Sequence, residues 1–99
     1  MKKITHSVFF KLNFSSGSQK EKDFLNTSYE ILSKIPRVNE FNVLKEISPK
    51  NNFDFGFTMI FNTEKDYESY NNHIDHTNYV TEIWIPHVSD FQEIDFVEL

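Results

Sequence analysis

Apolar and polar residues alternate strictly at the start of the chain. Ile4, His6, Val8, Phe10 and Leu12 share one side of an extended segment, and Thr5, Ser7, Phe9 and Lys11 the other. That two-residue period predicts a strand with a histidine on its apolar face. Ser15-Ser16-Gly17 breaks it, and Ser18 with Glu21 forms a capping-box pair that opens a helix. Phe24, Leu25, Ser28, Ile31, Leu32 and Ile35 continue at helical spacing until Pro36. A second strand is expected over 40–47, with Phe41 and Val43 alternating with Asn42, and Ser48-Pro49-Lys50-Asn51-Asn52 reads as a loop.

The clearest strand follows. Phe53, Phe55, Phe57, Met59 and Phe61 occupy every second position, and Gly56 between them marks a close approach to the backbone on the opposite face. Thr63 and Asp66 predict a helix cap, with Tyr67, Tyr70 and Ile74 on one face. A second helical piece carries Tyr79, Val80, Ile83 and Trp84 and ends near Pro86, and Phe91, Ile94, Phe96 and Val97 suggest a last strand. The order β-α-β-β-α-β predicts an α+β, ferredoxin-like fold over a single domain, 1–99.

In such a fold one sheet face is covered by helices. The other would present Thr5, Ser7, Phe9 and Lys11 beside Asp54, Gly56, Thr58 and Ile60. Phe9 and Ile60 are costly to leave in water, and a chain of 99 residues buries only a modest share of its surface. A homodimer stacked through this face is the expectation. Eleven phenylalanines in this length point to an aromatic pocket, a subunit interface, or both.

Composition narrows the function classes. With no cysteine there is no disulfide framework, thiolate metal site or cysteine nucleophile. A formal net charge of −5 argues against nucleic-acid binding. No run approaches the roughly 20 apolar residues of a membrane span, and MKKITHSVFF lacks the long apolar region of a signal peptide, so a cytoplasmic protein is expected.

The candidate chemistry lies in Tyr70, His73 and His76, together with His6. An imidazole can accept a proton near neutral pH, and a phenol can polarise a carbonyl. Tyr70 and His76 would suit enolate or aldol chemistry in a shared cavity; otherwise His76 caps the helix junction and Tyr70 packs in the core. His73 reads as a structural residue bonding backbone at the turn, His87 as a surface residue, and His6 as either pocket lining or a satisfied core histidine. Zinc needs three or four converging ligands, which the spacing of His73, Asp75, His76 and His87 does not favour. Neither a metal nor an organic cofactor is expected, and haem ligation is a minority reading because nothing singles out one histidine.

The chain resembles the stress-responsive dimeric A/B-barrel (Dabb) family. The resemblance rests on His6 in the first strand, Ile35-Pro36 after the first helix, and Ser48-Pro49-Lys50 before the third strand. It continues with Phe61 leading into an acidic helix, His73-x-x-His76 where the family has His-Pro-x-His, and Ile94-Asp95-Phe96 in the last strand. It implies a homodimer and, in members that are enzymes, a pocket between sheet and helices. A plant member that closes a polyketide by aldol chemistry uses a tyrosine and the second histidine, which fall on Tyr70 and His76. Its first-strand histidine falls on His6. The resemblance also turns Phe24, Leu25 and Ser28 toward the pocket. This sequence departs from that member at Phe55, where it has a histidine, at Ser28, where it has a tyrosine, and at Ile74, which replaces a proline.

Two function classes follow. One is a binder of a small hydrophobic molecule, or an enzyme acting on it, with Tyr70 and His76 as acid/base pair. Its pocket would be lined by His6, Val8, Phe10, Phe24, Leu25, Ser28, Phe55, Phe57, Met59 and Tyr79. The other is a non-catalytic structural or stress-associated dimer whose phenylalanines fill the core. A cavity of roughly 300 Å³ or more reached by both Tyr70 and His76 would favour the first.

Overall fold

The computed structural model describes residues 2–99; Met1 lies outside them. Four strands, β1 (Ile4–Leu12), β2 (Asn39–Lys45), β3 (Phe55–Phe61) and β4 (Val88–Val97), form one antiparallel sheet in the order β2-β3-β1-β4. Helix α1 (Gln19–Leu32) links β1 to β2. Between β3 and β4 run α2 (Glu64–Asn72), α3 (Ile74–Tyr79), a π-helical turn (Val80–Trp84) and a last short turn, α4 (Ile85–His87). This is the ferredoxin-like arrangement expected from the alternation. Among the described residues, no helix is long and apolar enough to cross a membrane.

Local chemistry sets the helix starts. The Ser18 hydroxyl accepts from the Glu21 N–H at 3.2 Å, while the Glu21 carboxylate accepts from Gly17, at 2.9 Å, rather than from Ser18. The Ser18 N–H goes instead to the Ser15 carbonyl. Thr63 caps α2 through the Asp66 N–H at 3.0 Å. His73, with an extended ψ of 138°, ends α2 and caps α3 by accepting from the Asp75 N–H at 3.1 Å. The break carries Ile74 off the face of Tyr67 and Tyr70, leaving it 63 % exposed, against the continuous stripe expected.

β2 is shorter than predicted. Glu40, at φ 50°, shifts its register between Asn39 and Asn42, and the chain leaves the sheet after Lys45. The Glu46 carboxylate, held down to about 2 by hydrogen bonds from Asn51 and then Ser48, gathers the following loop, and Ile47 is exposed. Phe53 precedes β3 rather than belonging to it.

The core lies between sheet and helices. Phe10 and Phe61 are fully buried, with Phe57, Met59, Phe24, Leu32, Ile35, Tyr70, Tyr79 and Trp84 around them. Among the described residues no helix packs on the opposite face. Register places Phe9 opposite both Gly56 and Gln92, and Gly56 in turn opposite Leu44. A Cβ at Gly56 would stand 3.2 Å from the Phe9 ring, so the close approach inferred at this glycine is that of Phe9. Half-exposed Leu44 and Phe96 extend the face.

Candidate active site

A cavity of about 220 Å³ opens between the helix-facing side of the sheet and the helices that follow β3. Val8 of β1 with Phe57 and Met59 of β3 form its floor, and Leu32, Val80, Trp84, Ile85 and Phe91 its apolar walls. The polar side chains His6, Tyr70, His76, Tyr79 and Glu93 converge on it. The π-helical turn supplies Val80 and Trp84, a distortion often found at functional sites. Both Tyr70 and His76 reach the cavity. Its volume falls short of the roughly 300 Å³ expected of a binder or enzyme, so of that criterion only the reach of Tyr70 and His76 is met, and the cavity suits a small ligand rather than a polyketide-sized one.

The break at His73 turns His76 back toward α2, and its ring centroid lies 4.4 Å from that of Tyr70. The His76 Nδ1–H donates to the Asn71 carbonyl at 3.2 Å, which leaves Nε2 with its lone pair. Burial holds the His76 imidazolium below the usual histidine range, with the nearby His6 adding to the effect and the Asn71 bond opposing it. The ring is therefore a neutral base at neutral pH. Burial pushes the Tyr70 phenol up, so it stays protonated and serves as a donor. Among the described residues the Tyr70 side chain has no hydrogen-bond partner, yet none of their buried side-chain polar atoms lacks one. Its hydroxyl therefore opens to the cavity.

Tyr79 is engaged otherwise. Ser28 donates to the Phe24 carbonyl at 2.7 Å, so its oxygen accepts the Tyr79 hydroxyl at 2.6 Å. Burial raises the Tyr79 phenol. Tyr79 still lines the cavity with its ring, but Ser28, fully buried, locks α1 to α3 instead of facing the cavity.

The remaining expected lining residues divide. His6, Val8, Phe57, Met59, Tyr70, His76 and Tyr79 line the cavity together. Phe10, Phe24, Leu25, Ser28 and Phe55 do not line the cavity. Phe10 stacks among Phe24, Phe55, Phe57 and Trp84 in the packed core. Phe24 reaches instead a surface cleft with Phe14 and His87, Phe55 borders a groove on the open sheet face, and Leu25 packs partly buried against the core. That groove, about 380 Å³, is larger than the cavity but holds no histidine or tyrosine.

Two residues of the site escaped the sequence reading. Asp95 stands opposite His6 across the β1–β4 ladder and accepts from its Nδ1 at 2.5 Å. Tyr67 donates to the second Asp95 oxygen at 2.9 Å and lies 3.0 Å from the same Nδ1. Burial, then the Asp95 carboxylate, raises the Tyr67 phenol. Among the described residues no group of three acidic or histidine side chains is arranged to hold a metal ion.

The stress-responsive A/B barrel domain matches residues 4–98. The chain belongs to this Dabb family. A Dabb-family protein of ferredoxin-like fold from Mesorhizobium loti is 43% identical over 100% of this chain and 99% of its own, with a TM-score of 0.98. Two more distant structures share the fold. A dimeric ferredoxin-like protein of unknown function from Thermobifida fusca is 18% identical, covering 98% of this chain and 92% of its own at a TM-score of 0.80. A hydroxynitrile lyase from Passiflora edulis is 17% identical, covering 99% of this chain and 94% of its own at 0.82. No curated protein matches this Dabb chain.

Proposed function

We propose that this Dabb protein is a cofactor-independent acid/base enzyme that makes or breaks a carbon–carbon bond beside a carbonyl in a small, uncharged, largely apolar molecule. The observation that carries the reading is one cavity presenting a neutral imidazole Nε2 from His76 beside a protonated Tyr70 hydroxyl. In the cleavage direction, His76 removes the proton of a substrate hydroxyl. The oxygen's electron pair forms the carbonyl as the adjacent carbon–carbon bond breaks. The leaving carbanion takes the proton back from the His76 imidazolium, so His76 is regenerated. Tyr70 holds the reacting oxygen by hydrogen bond throughout. Glu93 at the cavity disfavours anionic substrates. A hydroxynitrile lyase on the same fold supports this reaction class as one the scaffold can host.

The test uses two adducts that each release benzaldehyde: its cyanohydrin and its aldol adduct with acetone. Release above the protein-free rate, lost in a folded His76→Ala variant, is the expected result. If neither adduct is cleaved and millimolar benzaldehyde shifts no amide signal of the cavity residues, the chain is a non-catalytic dimer with a filled aromatic core. Buried Phe10, Phe57 and Phe61 are what that second reading rests on.

A homodimer in the cytoplasm completes the proposal. Phe9, Leu44 and Phe96 leave an apolar surface on the helix-free sheet face, and two solved proteins of this fold are dimeric. Light scattering at micromolar concentration should give twice the monomer mass, and a stable monomer would remove the dimer.

A further inference from the structure

His6 is buried, on the first strand, and both of its ring nitrogens have a definite task. Nδ1 is taken up by Asp95 at 2.5 Å. A carboxylate is an acceptor, so Nδ1 carries a hydrogen, and in the neutral ring Nε2 keeps its lone pair. Among the described residues Nε2 has no partner and no buried side-chain polar atom is left unpaired, so Nε2 opens to accessible space. Because His6 lines the cavity, that space is the cavity. Tyr67 completes the arrangement from α2 by donating to the other Asp95 oxygen at 2.9 Å. Both carboxylate oxygens are thereby engaged, and the imidazole cannot rotate without breaking its bond to Asp95. The His6 ring centroid lies 6.3 Å from that of Tyr70, which in turn lies 4.4 Å from His76.

We propose that Asp95 and Tyr67 are positioning residues that hold His6 as a second proton acceptor, so that the cavity offers the Tyr70 donor between two imidazole acceptors. This deepens the reading given above and rests on the same cavity. It names the substrate class more closely: a small neutral molecule that carries a hydroxyl or enol in addition to the oxygen bound by Tyr70. The first donor meets His76 and the second meets His6. A simple ketone leaves His6 unpaired in the cavity and binds less well, because an unmatched polar group in a closed site loses its water without replacement. The same logic makes a carboxylate behind a histidine fix the tautomer in other acid/base sites.

Nitrogen-15 spectra that resolve the ring nitrogens of His6 at a pH where the ring is neutral test the arrangement directly. In the native protein they should show the hydrogen on Nδ1. Asp95→Ala should transfer the population toward hydrogen on Nε2, and Tyr67→Phe should keep the native tautomer. With the aldol adduct of benzaldehyde and hydroxyacetone, which carries the second hydroxyl, Asp95→Ala should raise KM roughly tenfold, whereas with the benzaldehyde–acetone adduct, which lacks it, KM should stay near native. Should Asp95→Ala fail to fold, Asp95→Asn keeps the shape and is expected to mix the two tautomers. A native His6 protonated on Nε2, or a tautomer unmoved by both Asp95 variants, overturns the proposal and leaves Asp95 as a strand-to-strand tie only. Failure of the broader reading looks different: the tautomer behaves as expected, but no adduct is bound or cleaved.

Discussion

Replacing His76 with alanine should lower kcat for a cleaved adduct by about 10²–10⁴-fold while leaving the protein folded, because the general base is lost and the fold keeps its packed core. His73→Ala should do the opposite. His73 caps α3 through the Asp75 N–H and closes α2, and an N-cap replaced by alanine costs about 1 kcal/mol, or roughly 4–8 °C in melting temperature for a domain of this size. Turnover in His73→Ala should therefore be near native at a temperature where the variant is folded. The acid side of the native rate profile carries a sign that follows from burial. His76 must be neutral to act, and its imidazolium is held below the usual histidine range, so activity persists below pH 6.5 and falls only as the pH drops through that lowered value. Stability follows the same direction. The unfolded chain binds this proton more readily than the folded one, so the His76 contribution is complete above about pH 6.5 and is lost as pH falls toward the folded-state value. Paired kinetics and melting curves across pH 5–8 check all of this. Native turnover by folded His76→Ala, or an acid limb centred above pH 7, would leave the base assignment without support.

The parts of this fold that could be read from the sequence are those with one buried face. β1 and β3 are central strands whose helix-facing residues are buried, so their alternation is sharp. β2 and β4 are the sheet edges, and most of their residues meet solvent on either face. Their periodicity is correspondingly weak, and the Glu40 irregularity that moves β2 depends on a backbone conformation no composition rule identifies. The same division runs through the site. Tyr70 and His76 lie close in sequence across a helix break, so their convergence could be inferred from spacing. The contact of His6 with Asp95 spans 89 positions and depends on the β1–β4 register. Topology alone implies that these strands are neighbours, but not which residues face each other. Ser28 was expected in the pocket because its helical stripe is right; its hydroxyl is instead consumed by Tyr79, 51 residues away. Phenylalanines at alternate positions look alike in a sequence, and only packing separates Phe57, which lines the cavity, from Phe10, which fills the core beside it.

Phe10→Ala should be the most damaging single change to stability. Phe10 is fully buried, and its ring centroid lies 4.7 Å from Phe57, 5.0 Å from Trp84, 5.8 Å from Phe55 and 6.0 Å from Phe24. Phe10 thus meets four other aromatic rings, and these partners on α1, β3 and the π-helical turn cannot all move in to fill the gap. Phenylalanine-to-alanine changes at such sites cost about 3–5 kcal/mol. A small domain has only about 5–15 kcal/mol in total, so the variant should melt roughly 12–40 °C lower. Phe91→Ala is the matched control. Phe91 pairs with Phe10 across the β1–β4 ladder and packs edge-on against Trp84 at 5.6 Å, but it is 50 % exposed at the cavity wall. Its removal forms no sealed void, so it should cost about 1 kcal/mol or less and show mainly as weaker substrate binding. Urea unfolding of the two variants beside the native protein makes the comparison. Equal losses of stability would mean that the cavity wall is as tightly packed as the core, and a site packed that tightly would have no room for a substrate.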